Sequence, residues 1–240
     1  MYDPRQRLIV ALDVSSAAAA QKIVAAVGDS ASCYKVGMQL YTAEGPKVVR
    51  DLVASGRKVF LDLKYHDIPH TVAAAVREAA SLGVSMLTIH ASGGGKMVRA
   101  ATEAARNQNT ALTVLAVTVL TSFDDSDLVE LGLHGCVQDQ VLRLSALALA
   151  HGCQGVVASA REAPALRREL KGAFAIVTPG VRPAGAEPGD QARVVTPAEA
   201  IAAGATHIVV GRPITAAADP ASEARAILSQ IGFSAERGIA

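Results

Sequence analysis

A short charged segment, Asp62-Leu63-Lys64-Tyr65-His66-Asp67, carries the strongest chemical signal in the sequence. It continues the apolar run Val59-Phe60-Leu61, which predicts a buried strand. Because side chains two residues apart in a strand share one face, we expect Asp62 and Lys64 to point the same way. Charges on a buried element cost free energy, so a function is the favoured reason for their presence. An ammonium held in this way could stabilise developing negative charge or donate a proton.

Two further charges extend this group. Lys35 lies in a second strand-like run, so Lys35 and Lys64 can converge with Asp62 if the two strands are neighbours. Asp67 lies just past the end of the predicted strand, and Pro69 suits the first turn of a following helix. A structural ion-pair network is the alternative interpretation, since such networks also bring opposite charges together without catalysis.

Two Gly–Arg pairs in the C-terminal half predict a phosphate site. Gly180-Val181-Arg182 follows the seventh predicted strand, and Gly211-Arg212-Pro213 follows the eighth. Glycine permits close approach of the backbone, and arginine offers a bidentate fork for phosphate oxygens. Gln191 lies in the Gly- and Pro-rich stretch 178–194 and could close over the same phosphate. Ordinary turn glycines with solvated arginines are the alternative, and the presence of both pairs favours phosphate.

Other catalytic patterns are weaker. Gly93-Gly94-Gly95-Lys96 resembles half of a phosphate loop and predicts a turn into a helix. His66 and His70 are four residues apart, but Pro69 lies between them, so a metal site is not favoured. The G-x-S-x-G pattern of many serine hydrolases is absent from the sequence.

The elements that must position these residues alternate along the whole chain. Apolar runs predict strands at residues 8–12, 33–36, 59–63, 86–89, 112–119, 155–157, 174–177 and 207–210. Alanine-rich stretches predict helices at residues 17–27, 45–54, 71–81, 94–107, 137–150, 160–170, 197–203 and 221–230. Continuous apolar strands are typical of a parallel sheet covered on both faces. The pattern predicts an α/β protein with a (β/α)8 TIM barrel, and an open doubly wound sheet is the alternative.

Composition limits the classes of partner and compartment. The chain has 240 residues, half of them apolar, which suits a single barrel domain spanning 1–240. A net charge of +1 gives no indication of nucleic acid or of an anionic membrane surface as a partner. No stretch approaches the ~20 apolar residues of a membrane span. Cys33, Cys136 and Cys153 form no CxxC pair or disulfide pattern, so we expect a soluble, cytoplasmic protein.

Several segments together are specific to one family. They are Val10-Ala11-Leu12-Asp13, Tyr34-Lys35-Val36-Gly37, Asp62-Leu63-Lys64-Tyr65-His66-Asp67-Ile68-Pro69, Val117-Thr118-Val119-Leu120-Thr121-Ser122, Val177-Thr178-Pro179-Gly180-Val181-Arg182-Pro183 and Val209-Val210-Gly211-Arg212-Pro213-Ile214. In this order and spacing, they closely resemble the bacterial type of orotidine 5′-phosphate decarboxylase. The resemblance implies a (β/α)8 homodimer that converts orotidine 5′-phosphate, a small nucleotide, to UMP and CO2. It also implies that this last step of de novo pyrimidine nucleotide synthesis uses no cofactor and no metal.

The resemblance further implies roles for individual residues. Lys35, Asp62, Lys64 and Asp67 would form the catalytic charged group, with Asp67 reaching in from the partner subunit. Lys35 and Asp62 would also contact the substrate. The other substrate-binding residues would be Asp13 at the ribose, Thr71 from the partner's loop, Thr121 or its neighbour Ser122 at the pyrimidine, and Arg182, Gln191, Gly211 and Arg212 at the phosphate. One departure is His70, which stands where the family commonly has Asn.

Two alternatives remain open at this point. The 3-keto-gulonate 6-phosphate decarboxylases and hexulose-phosphate synthases share an Asp-x-Lys-x-x-Asp core but use a magnesium ion. The continuation Asp67-Ile68-Pro69 and the pair Thr121-Ser122 favour the nucleotide enzyme over them. A barrel that binds a phosphate ligand without catalysis, with its charges serving structure, is the alternative from another functional class.

Overall fold

Eight parallel strands close into a barrel. The structure is a computed structural model that describes residues 4–108, 111–183 and 195–232. The strands are Leu8–Ala11 (β1), Cys33–Gly37 (β2), Lys58–Tyr65 (β3), Met86–His90 (β4), Thr113–Val117 (β5), Gly155–Val157 (β6), Ala175–Thr178 (β7) and His207–Val210 (β8). Each strand pairs with the next, and β8 pairs with β1. The predicted (β/α)8 barrel is therefore confirmed, and the open sheet is wrong because its first and last strands would not meet.

Helices connect the strands and cover the outside of the barrel. In the described ranges they are Ala17–Val27 (α1), Met38–Glu44 (α2), Pro46–Ala54 (α3), Pro69–Ser81 (α4), Gly94–Asn107 (α5), Asp125–Glu130 (α6), Val137–Ala150 (α7), Ala163–Glu169 (α8), Pro197–Ala202 (α9), Arg212–Thr215 (α10) and Pro220–Gln230 (α11). Pro69 is at the first position of α4, as predicted. None of these helices is long and apolar enough to cross a membrane.

Two short helices were not predicted from the sequence. They are α2 and α6, of seven and six residues, which are too short to show a clear helical period. Gly45 separates α2 from α3 with a φ of 65°, a conformation that glycine adopts without steric cost. A capping box between Asp124 and Asp127 begins α6. The helix expected at 160–170 is shorter, because a turn precedes Ala163.

Alternate strand residues point into the barrel. The interior cluster is apolar and consists of Ile9, Ala11, Cys33, Phe60, Leu115, Val177 and Val209. By the same alternation, Lys35, Asp62 and Thr88 also point inward, each two residues beyond an inward apolar residue. The opposite faces of the strands pack against the helices in a larger apolar cluster. Polar groups thus begin where the apolar interior ends, toward the C-terminal ends of the strands.

The end of β3 departs from regular strand geometry. Leu61 pairs with Leu87 of β4, but the next pair is Tyr65 with Ile89, so three residues of β3 lie opposite Thr88 alone. Lys64 lies within this bulge and has a φ of 53°. No other non-glycine residue among those described has a positive φ. Such a conformation is unfavourable for a residue with a Cβ and often marks a functional position.

Candidate active site

A cavity of about 520 Å3 opens at the C-terminal ends of the strands. This is the end at which (β/α)8 barrels carry their active sites. The floor of the cavity is apolar and is formed by Ala11, Phe60, Val117, Val157 and Val209. Its polar and charged lining consists of Asp13, Lys35, Asp62, Lys64, Thr121, Arg182, Arg212 and Thr215. Charges above an apolar floor are poorly screened by water, so their interactions with a bound molecule are strengthened.

Asp62 and Lys64 form an ion pair on this cavity. Lys64 Nζ donates to Asp62 Oδ2 at 2.9 Å, and the side chains are only 25% and 15% exposed. The second oxygen, Asp62 Oδ1, accepts a hydrogen bond from Thr88 Oγ1 at 2.9 Å. The same hydroxyl accepts a hydrogen bond from the backbone N–H of Lys64, also at 2.9 Å. The ammonium is therefore held at a fixed place beside a carboxylate.

Lys35 of β2 and Asp13, two residues past the end of the neighbouring strand β1, form a second ion pair. Lys35 Nζ donates to Asp13 Oδ1 at 2.6 Å, with the lysine side chain 12% exposed and the aspartate 55% exposed. Gly37 makes room for this pair, because a Cβ there would lie 3.0 Å from Lys35 Nζ and 3.3 Å from Asp13 Oδ1. Lys35, Asp62 and Lys64, which were predicted to converge, line one cavity, but Lys35 pairs with Asp13 and not with Asp62.

Two arginines line the same cavity, after β7 and β8. Arg182 is buried, and its Nε makes no hydrogen bond to the described residues. Its backbone N–H donates to the carbonyl of Val195, next to the bridge between Val181 and Val195. Arg212 is exposed and begins α10, with Gly211 as the preceding cap. A buried guanidinium with a free donor fits an anion such as phosphate.

The remaining residues predicted to touch the substrate are not all on the cavity. Thr121 lines it, whereas the adjacent Ser122 is exposed and does not. Gln191 lies outside the described residues. Asp67 and Thr71 are exposed at the start of α4 and are not part of the cavity lining. Asp67 Oδ1 accepts a hydrogen bond from the backbone N–H of Ile68 at 2.6 Å. Within a single subunit, Asp67 and Thr71 therefore lie off the cavity that Lys64 lines.

Two imidazoles lie close to the charged pair. The ring centroids of His66 and His90 are 5.4 Å apart. Burial, and then the neighbouring His66 and Lys64, lower the pKa of His90, so the neutral imidazole is favoured there. Burial raises the pKa of Tyr65 to about 12, which keeps its phenol neutral. The charges facing the cavity are therefore those of the lysines, aspartates and arginines.

Within the described ranges, no three His, Cys, Asp or Glu side chains lie close enough together to hold a metal ion. The carboxylates of Asp13 and Asp62 are each occupied by a lysine. Their contacts are those of ion pairs and not those of a coordination sphere.

Sequence reasoning missed two contributors to the site. Thr88 lies within the mostly apolar strand Met86–His90, where the sequence does not mark it as functional. Gly37 stands out in the sequence only as part of the motif Tyr34-Lys35-Val36-Gly37. Both could have been found from strand alternation, because each occupies an inward position beside a charged residue. The hydrogen bonds of Thr88 depend on the bulge in β3, and the sequence contains no pattern that predicts it.

Comparison with known proteins finds similarity along nearly the whole chain. The family model described as "Orotidine 5'-phosphate decarboxylase / HUMPS family" matches residues 6–227. A protein of Nitrosococcus oceani named orotidine 5'-phosphate decarboxylase is 51% identical over 228 residues, which cover 95% of this chain and 98% of that protein. A protein of the same name from Halorhodospira halophila is 52% identical, with coverage of 94% and 95%.

One solved structure has a similar fold over nearly the whole chain. The orotidine 5'-phosphate decarboxylase from Lactobacillus acidophilus superposes with a TM-score of 0.85 at 37% sequence identity. The superposition covers 95% of this chain and 100% of that one.

Proposed function

Because the chain belongs to the orotidine 5′-phosphate decarboxylase / HUMPS family, we propose that it converts orotidine 5′-phosphate to UMP and CO2. The observation that carries the proposal is the Lys64 ammonium, held 2.9 Å from Asp62 on a cavity that also contains two arginines. One end of this cavity suits a phosphate and the other suits a reaction that develops negative charge. A nucleotide carries a phosphate and a base in one molecule, so it can occupy both ends of the cavity.

The choice within the family rests on the relatives. The family description covers two groups of enzymes, so the family match alone does not choose between them. The relatives that are 51% and 52% identical both carry the decarboxylase name. The continuation Asp67-Ile68-Pro69 and the pair Thr121-Ser122 favour the same choice. A magnesium-dependent sugar-phosphate reaction is therefore the second candidate and not the first.

We place the phosphate of the substrate at the arginine end of the cavity. Arg182 offers a buried donor, and Arg212 follows Gly211 at the end of β8. Gln191 would complete the enclosure. Binding energy gained at the phosphate, which takes no part in the reaction, can hold the reacting end of the substrate in place.

The ribose and the base would lie between the phosphate and the Asp62–Lys64 pair. Asp13 is the more exposed partner of its ion pair and can accept hydrogen bonds from ribose hydroxyls. Thr121 lines the cavity and can meet a polar edge of the pyrimidine, with Ser122 as its neighbour. The apolar floor suits the face of the base. A volume of about 520 Å3 lies within the range of small-molecule sites.

Lys64 would act on the carbon that loses CO2. Departure of CO2 leaves the bonding electron pair on C6 of the pyrimidine as a carbanion, with no attached group to accept the charge. An ammonium about 4 Å away stabilises such a charge by about 4 kcal/mol at an effective dielectric near 20. Lys64 can then transfer one proton from Nζ to C6, which gives UMP and a neutral amine that regains its proton from water.

Asp62 and Lys35 would support this lysine. Asp62 holds the ammonium by a direct ion pair and would lie near the departing carboxylate, which disfavours the bound substrate relative to the carbanion. We give carbanion stabilisation the larger share, because it acts on the charge that forms in the transition state. Lys35 adds a second cation on the adjacent strand and neutralises Asp13.

We further propose that the site is completed by a second copy of the chain. Asp67 and Thr71 are exposed and lie off the cavity of their own subunit, next to Ile68, which is 66% exposed. An exposed apolar side chain between two polar groups suits an interface between protomers. In a homodimer, Asp67 would fix the position and protonation of the partner subunit's lysine, and Thr71 would contact its substrate.

We also propose that the reaction uses no cofactor and no metal. The reaction as written balances without an oxidant, a reductant or a metal, since only CO2 leaves and one proton is added. We also propose a cytoplasmic location. This is supported by Cys33, Cys136 and Cys153, which are all free.

One assay tests the function. The purified protein is mixed with orotidine 5′-phosphate, the fall in ultraviolet absorbance is followed, and the product is identified as UMP. We expect turnover that survives treatment with EDTA. Loss of turnover after EDTA, with recovery on adding magnesium, would favour the magnesium-dependent alternative. Nucleotide binding without any UMP formation would favour a barrel that binds its ligand and does not react with it.

A further inference from the structure

Thr88 is a fully buried polar residue whose hydroxyl contacts both members of the charged pair. Its exposed fraction is 0%, and it lies on β4 below the cavity without lining it. Its Oγ1 donates to Asp62 Oδ1 and accepts from the Lys64 backbone N–H, each at 2.9 Å. An ionised carboxylate only accepts and an N–H only donates, so the direction of both hydrogen bonds is fixed.

These two hydrogen bonds close a ring of contacts. Thr88 holds one oxygen of Asp62, and the other oxygen accepts from Lys64 Nζ at 2.9 Å. The backbone N–H of Lys64 therefore binds the Thr88 hydroxyl directly. The ammonium of Lys64 is linked to the same hydroxyl through the carboxylate of Asp62. Threonine is restricted at χ1 by its branched Cβ, so the hydroxyl has little freedom to turn away. One oxygen atom therefore controls both the direction of the carboxylate and the place of the lysine.

The backbone at Lys64 explains why this contact is needed. Three residues of β3 lie opposite Thr88 alone, which disrupts the regular ladder between β3 and β4. Lys64 also has a φ of 53°, which is unfavourable for a residue with a Cβ. Such conformations persist only where the surroundings hold them. The Thr88 hydroxyl supplies the N–H of Lys64 with a partner at this bulge.

We propose that Thr88 is a positioning residue that orients Asp62 and holds Lys64 in its left-handed conformation, so that the ammonium faces the reacting carbon. The proposal rests on the proposed decarboxylase function. Thr88 acts through its two partners and does not touch the substrate. Its loss should therefore reduce the chemical step more than it reduces nucleotide binding.

The test compares three variants with the wild-type protein. Thr88→Val keeps the shape of the side chain and removes the hydroxyl, and Thr88→Ser keeps the hydroxyl. Thr102→Val is the matched control. Thr102 lies on α5, is 1% exposed, donates to the carbonyl of His151 and does not line the cavity. The measurements are kcat and KM for orotidine 5′-phosphate, Kd for UMP, the thermal unfolding midpoint and a crystal structure of Thr88→Val.

We expect kcat of Thr88→Val to fall about tenfold to hundredfold, as for loss of a hydrogen bond to a charged group. Its KM and its Kd for UMP should stay within about threefold of the wild-type values. Thr88→Ser should recover most of kcat. Thr102→Val should lower the unfolding midpoint without lowering kcat. If Thr88→Val does not fold, Thr88→Cys makes the same comparison, because a thiol is a weak donor and acceptor.

Three results would overturn the proposal. One is a Thr88→Val protein with wild-type kcat, and another is a loss of kcat that Thr88→Ser does not recover. The third is a crystal structure of Thr88→Val in which Lys64 keeps its positive φ and its contact with Asp62. This structural result stands even if the wild-type protein forms no UMP, so failure of the proposed function is distinguished from failure of the role of Thr88.

Discussion

Lys64 Nζ lies 2.9 Å from Asp62 Oδ2, although no regular strand joins the two residues. A regular strand would place them on one face by alternation. Here the strand bulges at Lys64, whose φ is 53°. The lysine ammonium nevertheless contacts the Asp62 carboxylate. The pair therefore depends on contacts with β4 as well as on the spacing of two residues in the sequence.

The arginine end of the cavity should recognise phosphate and not the nucleoside. Replacing Arg182 or Arg212 by Ala should weaken UMP binding about tenfold to hundredfold, since each loses charge-assisted hydrogen bonds to the phosphate. Binding of uridine, which lacks the phosphate, should change much less. Titration calorimetry with UMP and uridine gives both affinities.

The control for this comparison is Arg50→Ala, which removes an exposed arginine of α3 on the outside of the barrel. It should leave both affinities unchanged. If an arginine variant at the cavity loses affinity for UMP and uridine by the same factor, that arginine does not bind the phosphate.

Asp67 should act in the site of the partner subunit. Homodimers of Asp67→Ala and homodimers of Lys64→Ala should each have little activity, because every site lacks one charge. A mixed dimer carries both defects in one site and neither defect in the other, so it should regain about half of the wild-type activity per dimer. Co-expression with two different affinity tags allows the mixed dimer to be purified and assayed.

An inactive mixed dimer, with its composition verified, contradicts a shared site. So does a wild-type protein that remains monomeric at assay concentrations and is fully active. The single variants serve as the matched controls, since each contributes one of the two changes.

His207 should make the fold sensitive to acid. It is 7% exposed at the start of β8, and burial, then Arg7 and Lys58, lower its pKa from 6.5 to about 4. The folded protein therefore favours the neutral imidazole, and its contribution is fully present above pH 6.5 and is lost as the pH falls toward 4. Between pH 7.5 and pH 5, the loss from this one group should be about 2 kcal/mol in the free energy of unfolding.

Urea unfolding at the two pH values measures this contribution. His207→Asn retains a polar atom near Thr206 Oγ1, which lies 2.8 Å from Nδ1, but does not titrate in this range. Between pH 7.5 and pH 5, the free energy of unfolding of His207→Asn should fall by about 2 kcal/mol less than that of the wild-type protein. His134→Asn, which changes an exposed histidine, should behave as the wild type does. An equal loss in all three proteins contradicts the role of His207.

The barrel could be predicted because strand and helix patterns alternate along the chain. Continuous apolar runs such as Leu8–Ala11 and His207–Val210 are typical of strands buried on both faces, and the structure contains all eight. Less predictable were α2 and α6, which are too short to show a helical period in the sequence.

The site could be predicted only in part. Asp62, Lys64 and Lys35 stand out because charge inside an apolar run is unusual. The pairing of Lys35 with Asp13 follows from the register of β1 and β2, in which Ala11 lies beside Lys35. Strand alternation predicts that Thr88 points inward, but it does not predict the bulge on the neighbouring strand that places two polar groups against its hydroxyl.

The central claim concerns Lys64. Replacing it by Ala should lower kcat by about a thousandfold or more, because the variant loses both the cation beside the carbanion and the proton donor. Binding of UMP should largely remain, since the phosphate end of the site is unchanged. Lys47→Ala, which breaks an exposed ion pair with Asp51 on α3, is the matched control and should keep wild-type kcat.

The most direct measurement is therefore the turnover of orotidine 5′-phosphate by the wild-type and Lys64→Ala proteins, followed by absorbance beside a UMP titration of each. The account predicts rapid turnover by the first protein, almost none by the second and UMP binding by both. Near-normal kcat in Lys64→Ala would contradict it.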